Sequence, residues 1–147
     1  MPPRREEEEG EGGEELGLAE VQRYFLGLQE LVIRFRGIIE QFSVDDKGTI
    51  LVAGFGLSPF IGKKPREQAC LCGIQLVQWM QQQGGEAHVG IASGPVIWAS
   101  LGNELRREFA FMSDTVNLAA RLMCAAKSQA RARKAEEEAA AAGRAAE

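Results

Sequence analysis

Hydrophobic residues recur every three or four positions through the first third of the chain. The spacing predicts one long helix from about Leu18 to about Gln41. A helix packed on a sheet is the first interpretation of this stripe, and a coiled-coil or dimer seam is the second. The stripe consists of Leu18, Val21, Phe25, Leu28, Val32, Phe35, Ile39 and Phe42.

Shorter patterns follow the stripe. A turn is predicted at residues 45–48, because Asp and Gly favour turns, and a buried strand at 49–56, where apolar and β-branched residues prevail. Pro65 suits the first turn of a second helix, which Gly84-Gly85 ends. Ser113 or Asp114 is expected to cap a last helix. Three further strands are predicted at 87–92, 96–101 and 109–112, and the last helix at 115–126.

Together these elements predict an α+β protein, with helices on one face of a largely antiparallel sheet. The order of the predicted helices and strands favours this class, because strands that follow one another closely along the chain pair as antiparallel hairpins.

Charge separates the two ends from the middle of the 147-residue chain, whose formal net charge is −4. Residues 1–16 are rich in Glu and are expected to form a disordered acidic tail. Residues 127–147 are rich in Ala, Glu and Arg and are expected to form a solvated helix or a low-complexity tail. The remaining 17–126 is the predicted folded domain. Because its charges balance, it lacks the positive field of a nucleic-acid binder.

The cellular compartment of the protein can be inferred from its three cysteines and from its lack of long apolar runs. No apolar run reaches the roughly 20 residues that a membrane span needs, and the acidic start lacks the apolar core of a signal peptide. Cys70, Cys72 and Cys124 are an odd number without the spacing of a zinc site, which is typical of reduced thiols. We therefore expect a cytoplasmic protein without a membrane span.

The segment from His88 to Met123 carries several motifs in a fixed order. It holds G-I-A-S-G at 90–94, R-E-F at 107–109 and V-N-L-A-A-R at 116–121. This arrangement resembles the catalytic domain of the class III adenylyl and guanylyl cyclases. The D-K-G at 46–48, with the apolar run after it, most resembles the second catalytic domain of the soluble adenylyl cyclases. The resemblance covers about residues 30–124.

The resemblance implies a ferredoxin-like nucleotide cyclase fold, here incomplete because the opening and final strands are missing. It also implies that Asn117 and Arg121 are catalytic and hold the ribose and the triphosphate in the transition state. Residues four apart share a helix face, and a guanidinium presents a planar set of donors to phosphate oxygens. The alternative is an exposed Arg121 paired with a surface carboxylate, beside a solvated Asn117.

The resemblance places three more residues at the substrate. Ala110 falls where adenylyl cyclases carry Asp or Thr, and alanine cannot hydrogen-bond a purine. Asp45 falls near the place where a lysine would meet the base, and Lys47 lies two residues further on. Asp114 matches a common family residue in the turn before the helix, where it can also act as the cap.

The metal ligands of the family have no match in this sequence. The family uses two aspartates to hold two ions. One lies on an opening strand of the type F-x-D-I-x-G-F, which this sequence lacks, and Thr49 stands where the other is expected. Asp45 and Asp46 are out of register and are interpreted as turn residues. The chain is thus expected to bind no metal by itself, and Mg²⁺ or Mn²⁺ would come through a partner half.

Three hypotheses about function follow. In the first, the chain is half of a cyclase site that converts a nucleoside triphosphate, ATP in preference to GTP, into cyclic AMP and pyrophosphate; a second cyclase catalytic domain completes it. In the second, it is a degenerate, non-catalytic cyclase domain that acts as a regulatory or dimerisation partner. In the third, it is a coiled-coil adaptor that uses the stripe of residues 18–42.

Overall fold

The computed structural model describes residues 17–45, 48–57, 59 and 61–145. The four strands within this part form two separate antiparallel hairpins, β1–β2 and β3–β4. The predicted α+β class is confirmed, with the sheet divided into two pairs of strands. In chain order the elements are α1 (Leu18–Arg34), β1 (Gly37–Asp45), β2 (Gly48–Phe55), α2 (Pro65–Gln82), β3 (Ile97–Gly102), β4 (Arg107–Met112) and α3 (Asp114–Ala145).

Helix α1 ends seven residues before the predicted boundary at Gln41, because the chain turns at Arg36 and then enters a strand. Arg36 has a φ of 61°, a left-handed conformation that cannot continue the helix. In β1, Ile39 pairs with Ala53 and Phe42 with Leu51. The prediction of one helix up to Gln41 is wrong, because long-range strand pairing decides the conformation of this second part of the stripe.

The stripe on α1 packs within the chain itself. Leu28, Leu31 and Val32 are buried, and the ring of Phe25 lies 4.7 Å from that of Phe42, centroid to centroid. The interpretation as a helix on a sheet is confirmed. The coiled-coil alternative stays a prediction for the start of the stripe, where Leu18 is 85% exposed, whereas Leu28 and Val32 are already buried within the chain.

The turn predicted at residues 45–48 joins β1 to β2. Asp45 and Gly48 are the last paired residues of this hairpin, and Gly48 has a φ of 125°, which favours glycine. Asp46 and Lys47 lie outside the described residues. Thr49, at the position where the resemblance expects an aspartate, pairs with Val44.

The segment of residues 86–96 is packed but belongs to no strand, so the strand predicted at 87–92 is wrong. A Cβ atom on Gly73 of α2 would lie 3.3 Å from the side chains of Val89 and Ile91. On the other side, a Cβ atom on Gly90 would collide with the backbone of α3. Within the described part of the chain, this segment finds helices on both sides and no strand with which to pair.

The hairpin β3–β4 confirms the strands predicted at 96–101 and 109–112, with small shifts of their ends. Ile97 pairs with Met112 and Ala99 with Ala110. In the turn, the side-chain oxygen of Asn103 accepts hydrogen bonds from the backbone N–H groups of residues 105 and 106. The hairpin positions Met112 one residue before the turn into α3.

Helix α3 is longer than the predicted 115–126, because the Ala-rich segment after it is helical as far as Ala145. Residues 131–144 are exposed on all sides, as expected for a solvated helix. The Ser113 hydroxyl has no hydrogen-bond partner, so the predicted serine cap is not made; Asp114 starts the helix and places a carboxylate in its first turn. None of the helices described here is long and apolar enough to cross a membrane.

The core of α1 gives the first testable prediction. Replacing Leu28, 6% exposed, by alanine removes buried methyl groups and leaves a cavity, so the free energy of unfolding in urea should fall by about 2–4 kcal/mol. The control Leu26→Ala on the same helix, where the leucine is 51% exposed, should change it by about 0.5 kcal/mol or less. Equal losses in the two variants would contradict this assignment of the core.

Thiol reactivity gives a second prediction. Burial raises the pKa of the Cys72 thiol to about 11, whereas Cys70 and Cys124 are exposed. Only the thiolate reacts with a disulfide reagent, so near pH 8 two thiols per native chain should react and Cys72 should stay protected until pH approaches its pKa. Unfolding in urea should release the third thiol at the same pH. Rapid reaction of all three in the native chain would refute the burial of Cys72.

Candidate functional site

Helix α3 carries Asn117 and Arg121 on its exposed face. Four residues apart, they lie one helical turn from each other, with about 6 Å between their Cβ atoms. Within the described residues, Arg121 makes no ion pair and no side-chain hydrogen bond. The alternative of an Arg121 paired with a surface carboxylate is therefore not found in this part of the chain, and its guanidinium can bind an external anion.

A shallow, open pocket of about 570 Å³ lies where the β3–β4 hairpin meets the start of α3. Its apolar side comes from the hairpin and its polar side from the first turn of the helix. The structure therefore brings Asn117 and Asp114 to one pocket, while Arg121 lies one turn further along α3. The pocket is lined by Ile97, Phe111, Met112, Ser113, Asp114, Val116 and Asn117.

The other predicted substrate residues lie apart from this pocket. Ala110 is in β4, opposite Ala99 and two residues before Met112, and it does not line the pocket. Its alternation with Met112 places the two residues on the same face of the hairpin. Lys47 lies outside the described residues. The structure thus brings Asp114 and Asn117 together at the pocket. Ala110 lies outside it, two residues before the pocket-lining Met112.

Two leucines beside Arg121 were missed from the sequence. Leu118 is 49% exposed and Leu122 is 43% exposed, and both lie on the same side of α3 as the arginine. The sequence pattern could have indicated them, because apolar residues occur around more of α3 than a single buried face needs. Apolar side chains exposed together next to a functional pair are typical of a surface that contacts another molecule.

The described residues contain no counterpart of the metal ligands that the resemblance requires. Among residues 17–45, 48–57, 59 and 61–145 there is no group of three or more His, Cys, Asp or Glu residues that could hold an ion. Thr49 is exposed on the β1–β2 hairpin and offers one neutral hydroxyl where a carboxylate would be needed. The described residues do not fit a pair of divalent ions.

Comparison with known proteins is consistent with this arrangement. No protein-family model matches the chain. Adenylate cyclase type 10 of Homo sapiens is 29% identical over 121 residues, which make up 79% of this chain and 7% of that protein. The chain thus spans only a small part of the curated relative that it matches.

Solved structures share the fold. The non-canonical dimeric guanylyl cyclase domain of the RhoGC fusion protein from Blastocladiella emersonii superposes with a TM-score of 0.61 and 20% identity, over 77% of this chain and 63% of that one. The guanylate cyclase domain of RhGC from Catenaria anguillulae, in complex with GTP, gives 0.61 and 19%, over 78% and 63%.

At these identities the solved structures establish the fold alone, and the sequence similarity to a human cyclase points the same way. The two observations agree with the motifs at residues 90–94 and 116–121. The chain therefore has the fold of the class III nucleotide cyclase catalytic domains, of which it covers a part, and its sequence is similar to that of an adenylate cyclase.

Proposed function

We propose that the chain supplies one half of a nucleotide cyclase catalytic site and that a second cyclase catalytic domain supplies the other half. In the reaction the 3′-hydroxyl oxygen of ATP loses its proton and attacks the α-phosphorus, and pyrophosphate leaves as cyclic AMP forms. The observation that carries this proposal is an exposed guanidinium, on Arg121, one turn from the pocket-lining Asn117 and without a carboxylate partner among the described residues.

The chemistry of the pair suits phosphoryl transfer. Negative charge grows on the phosphate oxygens as pyrophosphate leaves, and catalysis of such reactions depends on positioning and on charge stabilisation. Arg121 stays positively charged at any working pH and can direct several N–H groups at those oxygens. Asn117 can hold a ribose hydroxyl by hydrogen bonds without adding charge.

The partner half must bring what this chain lacks. The described residues offer no site for divalent ions, so Mg²⁺ or Mn²⁺ is expected to enter with a domain that bears the two aspartates. Leu118 and Leu122 provide exposed apolar surface beside Arg121, where such a domain can dock. The described residues of two copies of this chain would supply no cluster of metal ligands, and we therefore expect the isolated chain to be inactive.

ATP is the favoured substrate because the similar human protein is an adenylate cyclase. The RhGC domain of the same fold was solved in complex with GTP, so the fold alone does not choose between the two purines. At Ala110 this chain has no polar group with which to read a base edge.

A second candidate function is a non-catalytic cyclase domain that binds and regulates a partner. Ala110 and Thr49 favour it, because a methyl group and a neutral hydroxyl stand where the resemblance expects polar and acidic side chains. In that case the exposed face of α3 would bind the partner, and Arg121 would have no role in turnover.

Reconstitution distinguishes the two candidates. The chain is mixed with a separately produced class III cyclase domain that carries both metal aspartates, with ATP and Mn²⁺, and cyclic AMP is measured. Activity should appear only in the mixture, and Arg121→Ala should lower it about 100-fold or more, because it removes charge stabilisation from the transition state.

The matched control is Arg131→Ala, which removes an exposed arginine ten residues further along the same helix. Its activity should stay within about twofold of the unmodified chain, because surface substitutions distant from a site act weakly. Binding of the partner without turnover, or turnover that Arg121→Ala leaves unchanged, would overturn the catalytic proposal. Vigorous activity of the chain alone would overturn the division between two halves.

A further inference from the structure

Helix α3 uses two opposite faces for two different purposes. Thr115, Ala119 and Met123 are spaced by four and are half-buried, whereas Asn117 and Arg121 are exposed. Each exposed residue follows a half-buried one by two positions, which is about 200° around a helix of 3.6 residues per turn. The direction in which Asn117 and Arg121 point is therefore set by the contacts that the opposite face of α3 makes.

That opposite face of α3 packs against the segment of residues 86–96. The Thr115 hydroxyl donates a hydrogen bond to the backbone carbonyl oxygen of Pro95, with 3.1 Å between the oxygens. Thr115 is the second residue of α3, so this bond holds the start of the helix to a residue twenty positions earlier in the chain. Because Pro95 comes just before β3, the bond also ties α3 to the hairpin that lines the pocket.

Two glycines allow α3 to approach this closely. A Cβ atom on Gly94 would lie 2.5 Å from the Thr115 hydroxyl oxygen, which is too close for any real contact. A Cβ atom on Gly90 would collide with the backbone of Ala119 and lie 3.0 Å from Cβ of Met123. Glycine is needed at both positions because a side chain would not fit there. Backbone conformation is not the reason, since neither residue has a positive φ.

We propose that Thr115 is a positioning residue: its hydrogen bond to Pro95, which the missing side chain of Gly94 makes possible, sets the rotation of α3 and hence the direction of Asn117 and Arg121. The consequence for turnover rests on the proposed function, whereas the consequence for the position of α3 does not. Rotation by one residue would swing Arg121 by about 100°, and misplacement by about 1 Å can cost about 100-fold in rate.

The position of α3 can be measured directly with the native thiols. Cys70 on α2 and Cys124 on α3 are exposed, whereas burial protects Cys72, so a methanethiosulfonate spin label at about pH 7.5 marks the two helices alone. The distance between the labels, measured by double electron–electron resonance in the full chain, then reports how α3 is seated against the rest.

The test compares Thr115→Val, which keeps the shape and removes the donor, with the control Thr115→Ser, which keeps the hydroxyl. Thr115→Val should broaden the distance distribution or shift it by about 1–2 Å, a typical displacement of packed helices. Thr115→Ser should reproduce the unmodified chain. Gly94→Ala, which displaces the hydroxyl by a different route, should act like Thr115→Val and provides a second variant if one of them folds poorly.

Turnover in the reconstituted mixture gives the second readout. Thr115→Val should lower kcat about tenfold or more with KM within about twofold, because the pair acts in the transition state, and Thr115→Ser should restore kcat. Unchanged distances in both Thr115→Val and Gly94→Ala, or a lower melting temperature with kcat unchanged, would overturn the positioning role. If the mixture makes no cyclic AMP, the proposed function fails, and the distances still decide whether Thr115 seats α3.

Discussion

The segment 86–96 approaches helices α2 and α3 closely enough to organise the packing around it. On one side Val89 and Ile91 lie against Gly73 of α2, and on the other Gly90 lies against the backbone of α3. The segment lies between α2 and β3, and the two hairpins before and after it share no strand. Because its glycines allow helices to pack directly on it, a stretch without strand pairing can hold the two parts of the domain together.

The core that results is small, and much apolar surface stays exposed. Among the described residues, Leu28, Leu31, Val32 and Cys72 are the buried apolar side chains, whereas Ile97 is 63% exposed beside the pocket. Leu118 and Leu122 add to this surface around Arg121. Exposed apolar area of this kind, next to an arginine that pairs with no carboxylate of the described residues, favours a domain that works against another protein surface.

The proposed shared catalytic site would account for a chain that carries Asn117 and Arg121 but, among its described residues, no cluster of metal ligands. Arg121 and Asn117 need only a rigid helix and an open face, and α3 provides both. Metal ligands need several carboxylates at one point, and neither the hairpin at Thr49 nor any other described part of the chain has them. In the proposed division, positioning of the triphosphate belongs to this half and charge neutralisation by ions belongs to its partner.

Features that depend on residues close together in the chain could be predicted from local patterns. The four-residue spacing of Asn117 and Arg121, the turn at Gly48 and the two strands around Asn103 follow from local periodicity and turn chemistry, and the motifs at 90–94 and 116–121 indicated the fold. Local patterns did not predict the end of α1 at Arg34, the absence of pairing at 87–92 or the direction in which Arg121 faces. These features depend on contacts between residues far apart in the chain, such as Ile39 with Ala53 and Thr115 with Pro95, and the hydrophobic pattern of a single segment does not specify its partners.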